Sequence, residues 1–512
     1  MTSIVVRLMS LGIVLFLASC ASPPVNQPKE FSSALRTAPN SGVAGDIRKL
    51  VARHPGKSGF ALIDNNRAAF TDRIALADYA QKTLDVQYYI WSADTIGKIL
   101  ADHVIQAADR GVRVRCLVDD MYLKSRDEGA AVLAAHPNIE VRVFNPHRFR
   151  SLRTLNFALD FTRLNHRMHN KTMIMDNACA IIGGRNMADE YFGLNDDFNM
   201  RDLDIVAVGP IVPKVSNVFD EFWNSEAAVP AENLLKNQEV IDNFRQQVAI
   251  LRKSLTADRY PFPLTMDVGQ IKSRWNEVER AFVWADGEVF HNSYESLKHP
   301  GHGESINRSL TRELLAAKHE VRFEAAYYVT RRRGIELGRK MVDNGVKIRV
   351  LTNSLATNDV GAAQAGYART RKTLLRGGVE LYELRPDAAA LRAQVAPHAK
   401  QARTAIHTKA LVIDGRKSFV GSYNLDPRSA NINSEVGLMV NSEEFARRVA
   451  AYLDQGVRPE NSYRVSLDEH GHPRWQTIIN GQPRTLSHDP ETTTFQRLTN
   501  RLIGYLPITS QL

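Results

Sequence analysis

Two stretches, HNKTMIMDNACAIIGGRN at residues 169–186 and HTKALVIDGRKSFVGSYN at 407–424, set the same residue types at the same offsets. Each carries a histidine (His169, His407), a lysine two residues on (Lys171, Lys409), an aspartate five further (Asp176, Asp414), a glycine (Gly183, Gly421) and an asparagine (Asn186, Asn424). An imidazole with a free pKa near ~6.5 gives or takes a proton at neutral pH. A lysine supplies positive charge and an asparagine amide donates hydrogen bonds. Together they suit proton transfer around an anionic group. For a lone histidine a satisfied structural role is the ordinary expectation; duplication at identical offsets reverses it. The two aspartates have a sufficient structural reason, because each sits at a turn, and they are read as structural positions with the glycines.

Residues two apart in a strand share a face, so each histidine points with its lysine. Asp414-Gly415 is a strong hairpin signal and Asp176-Asn177 a weaker one, which makes each motif two antiparallel strands joined at the aspartate. The returning strand ends in Gly183-Gly184 or Gly421-Ser422, small residues that are expected to let the backbone approach a ligand. Beyond them RDLDIVAVG (201–209) matches NSEVGLMVN (433–441), and the match pairs Asp204 with Glu435 as carboxylates behind the histidines.

The repetition extends upstream. LDVQYYIW (84–91) is echoed by FEAAYYVT (323–330), GVRVRCLVDD (111–120) by GVKIRVLTNS (345–354), and NIEVRVFNP (138–146) by GVELYELRP (378–386). Helical segments such as 95–110 and 334–344 alternate with these strands, which predicts βαβ units and an α/β layer structure in each half. The organisation read from the sequence is a signal at 1–19, a flexible tether at 20–45, a first half at 46–254, an irregular connection at 255–305, a second half at 306–455 and an extension at 456–512.

The chain has 512 residues, 44% hydrophobic and 24% charged, enough for several compact units. Its net charge of +10 favours anionic partners without choosing among nucleic acid, lipid headgroups and phosphate esters. Arg7 precedes an apolar run, Leu8–Leu17, too short to span a bilayer as a helix, so it reads as an export signal. The run ends in Leu17-Ala18-Ser19-Cys20, similar to the bacterial lipoprotein box, in which the cysteine is lipidated and becomes the first mature residue. Ala21 resembles outer-membrane sorting, so the expected place is a lipoprotein facing the periplasm of a Gram-negative bacterium. Cys116 and Cys179 lie in apolar runs and read as small buried hydrophobes. No Cys/His spacing resembles a structural zinc site.

The duplicated H-x-K-x4-D followed by G-[GS]-x-N resembles the pattern of the phospholipase D superfamily, and the resemblance covers roughly residues 46 to 455. It implies a duplicated α/β/α sandwich whose two pseudo-symmetric halves share one active-site cleft, a phosphodiester substrate, and neither metal nor cofactor. One histidine forms a covalent phosphohistidine and the other protonates the leaving alcohol. The lysines and asparagines stabilise charge on the phosphoryl oxygens, and Asp204 and Glu435 hold the histidine tautomers, as the third member of a catalytic triad does. By resemblance His169 is the nucleophile and His407 the acid/base, although a pseudo-symmetric site permits the exchange. A monomer suffices for one such site.

Within the superfamily TLDVQYYIW (83–91), RLNHRMHNK (163–171), GGRNMADEYFG (183–193), LTNSLATNDV (351–360), AGYARTRKTLLR (365–376) and GSYNLDPRS (421–429) resemble bacterial cardiolipin synthases of the C type. This implies phosphatidyl transfer onto phosphatidylglycerol, with phosphatidylethanolamine as donor. The alternatives are a hydrolase releasing phosphatidic acid, a periplasmic nuclease, which the anchor and apolar loops disfavour, and a non-catalytic lipid-binding lipoprotein. A membrane surface is expected to meet the segment 144–161, where Arg148, Arg150 and Arg153 interleave with Phe and Leu; packing on its own domain is the competing expectation. In the C-terminal segment Phe495, Leu498, Leu502 and Leu506 fall on one helical face, ordinarily a docking face.

Overall fold

The structure is a computed structural model describing residues 28–123, 127–148, 150, 152–234, 242–255 and 268–506. The export signal and Cys20 lie outside the described residues. In the first half the strands are β1 (Ser58–Ile63), β2 (Thr83–Tyr88), β3 (Arg113–Asp119), β4 (Ile139–Phe144), β5 (Thr172–Met175), β6 (Cys179–Gly183), β7 (Phe198–Arg201), β8 (Asp204–Val208) and β9 (Ala228–Pro230). After β10 (Val283–His291) come β11 (Glu320–Ala325), β12 (Lys347–Asn353), β13 (Glu380–Leu384), β14 (Arg403–Ile406), β15 (Lys409–Ile413), β16 (Lys417–Gly421) and β17 (Val436–Asn441). The chain then forms β18 (Ser462–Leu467), β19 (Pro473–Ile479) and β20 (Gln482–Leu486).

In each half three parallel strands are followed by an antiparallel group. The order β4-β3-β2-β5-β6-β8 in the first half repeats as β13-β12-β11-β15-β16-β17 in the second. Helices Asn66–Tyr79 and Thr95–Asp109 cover one face of the first half; Ile306–Leu315, Arg332–Asp343 and Gly361–Arg376 do so in the second. The opposite faces meet. Helices Ile211–Asn224 and Glu443–Gly456 contribute to one apolar cluster that also contains Ile174, Ile205, Val412 and Val436, so a single core locks the two halves.

The motif aspartates are turn residues and more. Asp176 and Asp414 adopt φ 52° and 51°, in the left-handed region that a tight hairpin requires. The Asp176 carboxylate accepts from the amides of Gln81, Lys82 and Thr83 at 2.7–2.9 Å, and Asp414 accepts from Lys318, His319 and Glu320 at 2.8–2.9 Å. Each therefore ties the motif hairpin to the start of the central parallel strand.

Two segments depart from the sequence expectations. Of the tether, residues 28–41 dock on the first half: Ser32 accepts from Arg115 at 3.0 Å and from the Trp223 indole at 2.8 Å, and Ala34 donates to Asp220 at 2.8 Å. The helix Gly42–Ala52 follows. Buried arginines and an indole recruit this polar segment, a pairing that composition does not reveal. The connection at 255–305 is not irregular where described. It forms the helix Val268–Ala281 and β10, which pairs with β1 at one end and with β17 along its length, joining both halves into one sheet of 18 strands. The Asn480-Gly481 hairpin joins β19 and β20, and the extension widens the second half's sheet through β13–β18 pairing.

Candidate active site

The two motif histidines are positioned by strands of the opposite half. β7 and β14 form a parallel two-stranded ribbon in which Ile406 pairs with Arg201, so the next residues, His407 and Asp202, emerge side by side. A parallel bridge between Met168 and Ser434 does the same for His169 and Glu435. The backbone repeats the device: His407 N donates to Arg201 O at 2.7 Å, and His169 N to Ser434 O at 3.1 Å.

The side chains follow. His169 Nδ1 lies 2.8 Å from Glu435 Oε2, and His407 Nδ1 lies 2.6 Å from Asp202 Oδ2. Each histidine is thus backed by a carboxylate from the other half, and each keeps Nε2 for chemistry. This corrects the sequence assignment of Asp204. Gly183 pairs with Asp204 and Gly421 with Gly437, so the true counterpart of Glu435 is two residues earlier, at Asp202. Asp204 instead receives Arg73 at 3.0 Å and Arg185 at 2.9 Å in a fully buried cluster. The match of sequence words missed this because the RDLD word offers two carboxylates and only ladder register chooses between them.

The glycines also serve a different end from the one expected. A Cβ on Gly183 would fall 1.9 Å from Asp204 Oδ1, and one on Gly184 would fall 2.2 Å from Asp202 Oδ1. Their smallness admits the carboxylates, not a ligand. In the second half Ser422 occupies the place of Gly184, and its hydroxyl donates to Glu435, as does that of Ser429 at 2.8 Å. Gly184→Ala is accordingly expected to push Asp202 off His407 and lower turnover by about 100-fold or more with the fold retained; steady-state kinetics beside a circular dichroism spectrum check this.

Lys171 and Lys409 are buried, and each ammonium donates to the carbonyl of its own motif histidine, Lys171 at 2.6 Å. Lys171 also lies 5.3 Å from the centre of the Tyr89 ring. Tyr89 packs edge-on against His169 with centroids 5.0 Å apart, and Tyr191 against His407 at 4.9 Å. Both tyrosines stand in words shared between halves or close to the motif, yet their type alone did not mark them. Asn186 Oδ1 accepts from Ile90 N at 3.2 Å. Asn424 N donates to Ser429 Oγ at 3.3 Å, and its buried Oδ1 has no partner among the described residues.

The site's protonation is asymmetric. Burial, reinforced by Lys171 and Lys409, holds His169 well below the usual histidine range. Burial and Lys409 bring His407 down to about 4 against the pull of Asp202. Glu435 is pushed up to about 8 by burial, partly offset by Lys171. Burial also acts to raise Asp202, but attraction from His407, Lys409 and Arg185 outweighs it and takes it to about 2. Burial lowers Lys171 well below the ordinary lysine range and Lys409 to about 8. Lys409 acts on His169 and Lys171 acts on His407, so the fields of the two motifs overlap in one place. Among the described residues no His/Cys/Asp/Glu group is arranged to hold a metal ion.

A protein-family model described as "Cardiolipin synthase, PLD-like domain" matches residues 74–223 and 310–456, more than half of the chain. The chain belongs to the phospholipase D-like cardiolipin synthase family. As a member it is an enzyme, a phosphodiester transferase of the cardiolipin synthase-like type. It is 35% identical to cardiolipin synthase C of Escherichia coli K12 over 478 residues, 91% of this chain and 98% of that protein. It is 24% identical to cardiolipin synthase B of the same organism, over 75% of this chain and 76% of that one. The phosphatidylserine synthase of Haemophilus influenzae Rd KW20 shares the fold, with a TM-score of 0.54 at 13% identity, covering 89% of this chain and 96% of the other. The duplicated halves of this phospholipase D-like chain match the two segments of the family.

Proposed function

We propose that the chain is a phosphatidyltransferase that makes cardiolipin from phosphatidylglycerol and phosphatidylethanolamine through a phosphatidyl-His169 intermediate. The observation that carries the reading is the crossed pairing of each motif histidine with the other half's carboxylate, around two buried lysines. His169 Nε2 attacks phosphorus, the bond to the departing ethanolamine oxygen breaks, and His407 gives that oxygen a proton. The phosphatidylglycerol hydroxyl then returns a proton to His407 and attacks phosphorus, releasing His169. Lys171, Lys409, Asn186 and Asn424 hold the phosphoryl oxygens.

The carboxylates support this division of labour. Asp202, kept ionised, favours an imidazolium at His407, whereas Glu435, inclined to hold a proton, favours neutral His169. Burial and the lysine charges depress His407, and an arriving phosphodiester anion offsets the lysine contribution, which shifts the acid toward its protonated form. Phospholipid as substrate is supported by the surface. Arg150 and Arg153 turn inward onto buried Asp120, contrary to the expectation that they face an interface, while Leu152, Leu155, Leu159 and Phe161 are exposed. The helix Thr494–Tyr505 docks through Asn500 and Gly504 and leaves Phe495, Leu498, Leu502 and Leu506 exposed, reversing the docking face read from the sequence. No described helix is long and apolar enough to cross a membrane.

Expression in cells lacking other cardiolipin synthases, followed by lipid separation, tests the reaction. Cardiolipin is expected; phosphatidic acid with free headgroup would indicate hydrolysis, and neither product would reject the reading. A lipid anchor at Cys20, facing the periplasm, is part of the proposal. Labelled palmitate is expected on the wild-type protein and not on Cys20→Ser; label persisting on the variant would remove the anchor.

A further inference from the structure

The second half contains a cavity that the catalytic chemistry does not use. It measures about 610 Å³ and lies between the helices Ile306–Leu315 and Arg332–Asp343, over β11 and β12. Leu310, Leu314, Phe323, Leu337, Met341 and Ile348 make its walls apolar. Its inner side is Tyr423, Leu425 and Asp426, which bracket the motif residue Asn424. At the mouth three consecutive arginines, Arg331, Arg332 and Arg333, are exposed, Arg332 being paired with Glu336 at 2.8 Å.

The corresponding region of the first half is built differently. There Arg73 and Arg185 converge on Asp204, with Arg73 also bonded to the Tyr88 hydroxyl at 3.0 Å. By motif offset Tyr423 stands where Arg185 does, and by ladder register Gly437 stands where Asp204 does. The second half therefore lacks the charged cluster and presents leucines from its first helix instead. A volume of this size, apolar within and cationic at the rim, has the form of a ligand site. Its flexible Met and Leu lining suits an unbranched chain, and guanidinium groups suit a phosphate.

We propose that this cavity holds an acyl chain of the acceptor phosphatidylglycerol, whose unreacting phosphate meets the arginine rim, a subsite that rests on the phosphatidyltransferase reading. Gly338 offers a direct test. It lines the cavity inside a helix, and a Cβ there meets only Ile348 Cδ1, at 4.0 Å, so a larger side chain grows into the space without backbone strain.

Binding is read with cis-parinaroyl phosphatidylglycerol and cis-parinaroyl phosphatidylethanolamine, each mixed with full-length His169→Ala protein and with the same protein carrying Gly338→Phe. Parinaroyl emission is expected to rise with the first and to fall at least tenfold in affinity with the second. The loss is expected with the phosphatidylglycerol probe; a loss confined to the phosphatidylethanolamine probe, whose phosphate must reach His169, overturns the proposal. Equal affinity in both proteins overturns the proposal. In the otherwise wild-type chain, Gly338→Phe is expected to lower the ratio of dioleoyl to dihexanoyl lipid turnover at least tenfold; an unchanged ratio also overturns it. Gly338→Leu serves if the phenylalanine variant does not fold. If a p-nitrophenyl phosphodiester is cleaved while no phospholipid reacts, the transferase reading fails, and the parinaroyl measurement still decides the cavity.

Discussion

Asp202→Asn is expected to reduce turnover by about 10⁴-fold while leaving the protein folded, because an amide behind His407 stabilises the wrong tautomer and cannot balance an imidazolium. The 2.6 Å contact between Asp202 Oδ2 and His407 Nδ1 is the basis. Asp204→Asn provides the contrast. It leaves Arg73 and Arg185 buried around a neutral group, and removing one partner of such a cluster costs about 3–5 kcal/mol. Its signature is a lower denaturation midpoint, with activity per folded molecule largely kept. Kinetics and urea titration on both variants separate the two outcomes. Loss of activity at constant stability from Asp204→Asn, with Asp202→Asn left active, would show that Asp204, not Asp202, serves the histidine.

The second large effect divides the histidines. His169→Ala should abolish turnover of every phosphodiester, since no nitrogen remains to accept the phosphoryl group. His407→Ala should abolish transfer from lipids with poor leaving groups yet still release one equivalent of nitrophenolate from a p-nitrophenyl phosphodiester, whose leaving group needs no proton. The burst is measured by stopped-flow absorbance. A burst from His169→Ala and none from His407→Ala would exchange the two roles, which the pseudo-symmetry of the halves allows in principle. The asymmetry of Asp202 and Glu435 argues for the stated direction, because an ionised partner favours the histidine that must carry a proton.

The family, the duplicated layers and the motif residues are legible along the chain, because they depend on local rules. Strand alternation, the Asp-Gly turn and a repeated spacing are visible along the chain, and each half writes them separately. Asp176 and Asp414 were legible as turn residues for that reason, although the three backbone amides that each one collects were not. The remainder is set between segments far apart in sequence, where no local rule reaches. The choice of Asp202 over Asp204 rests on ladder register and on the β7–β14 ribbon, which joins strands about two hundred residues apart. The crossing of each histidine to the opposite carboxylate, the edge-on Tyr89 and Tyr191, the docking of residues 28–41 and the bridging strand β10 arise in the same way. So does the inward turn of Arg150 and Arg153, since a charged residue in a linear pattern reads as solvated until a buried carboxylate such as Asp120 is found facing it. Periodicity reports which face of an element is apolar, but the partner across that face is fixed by packing of the whole chain.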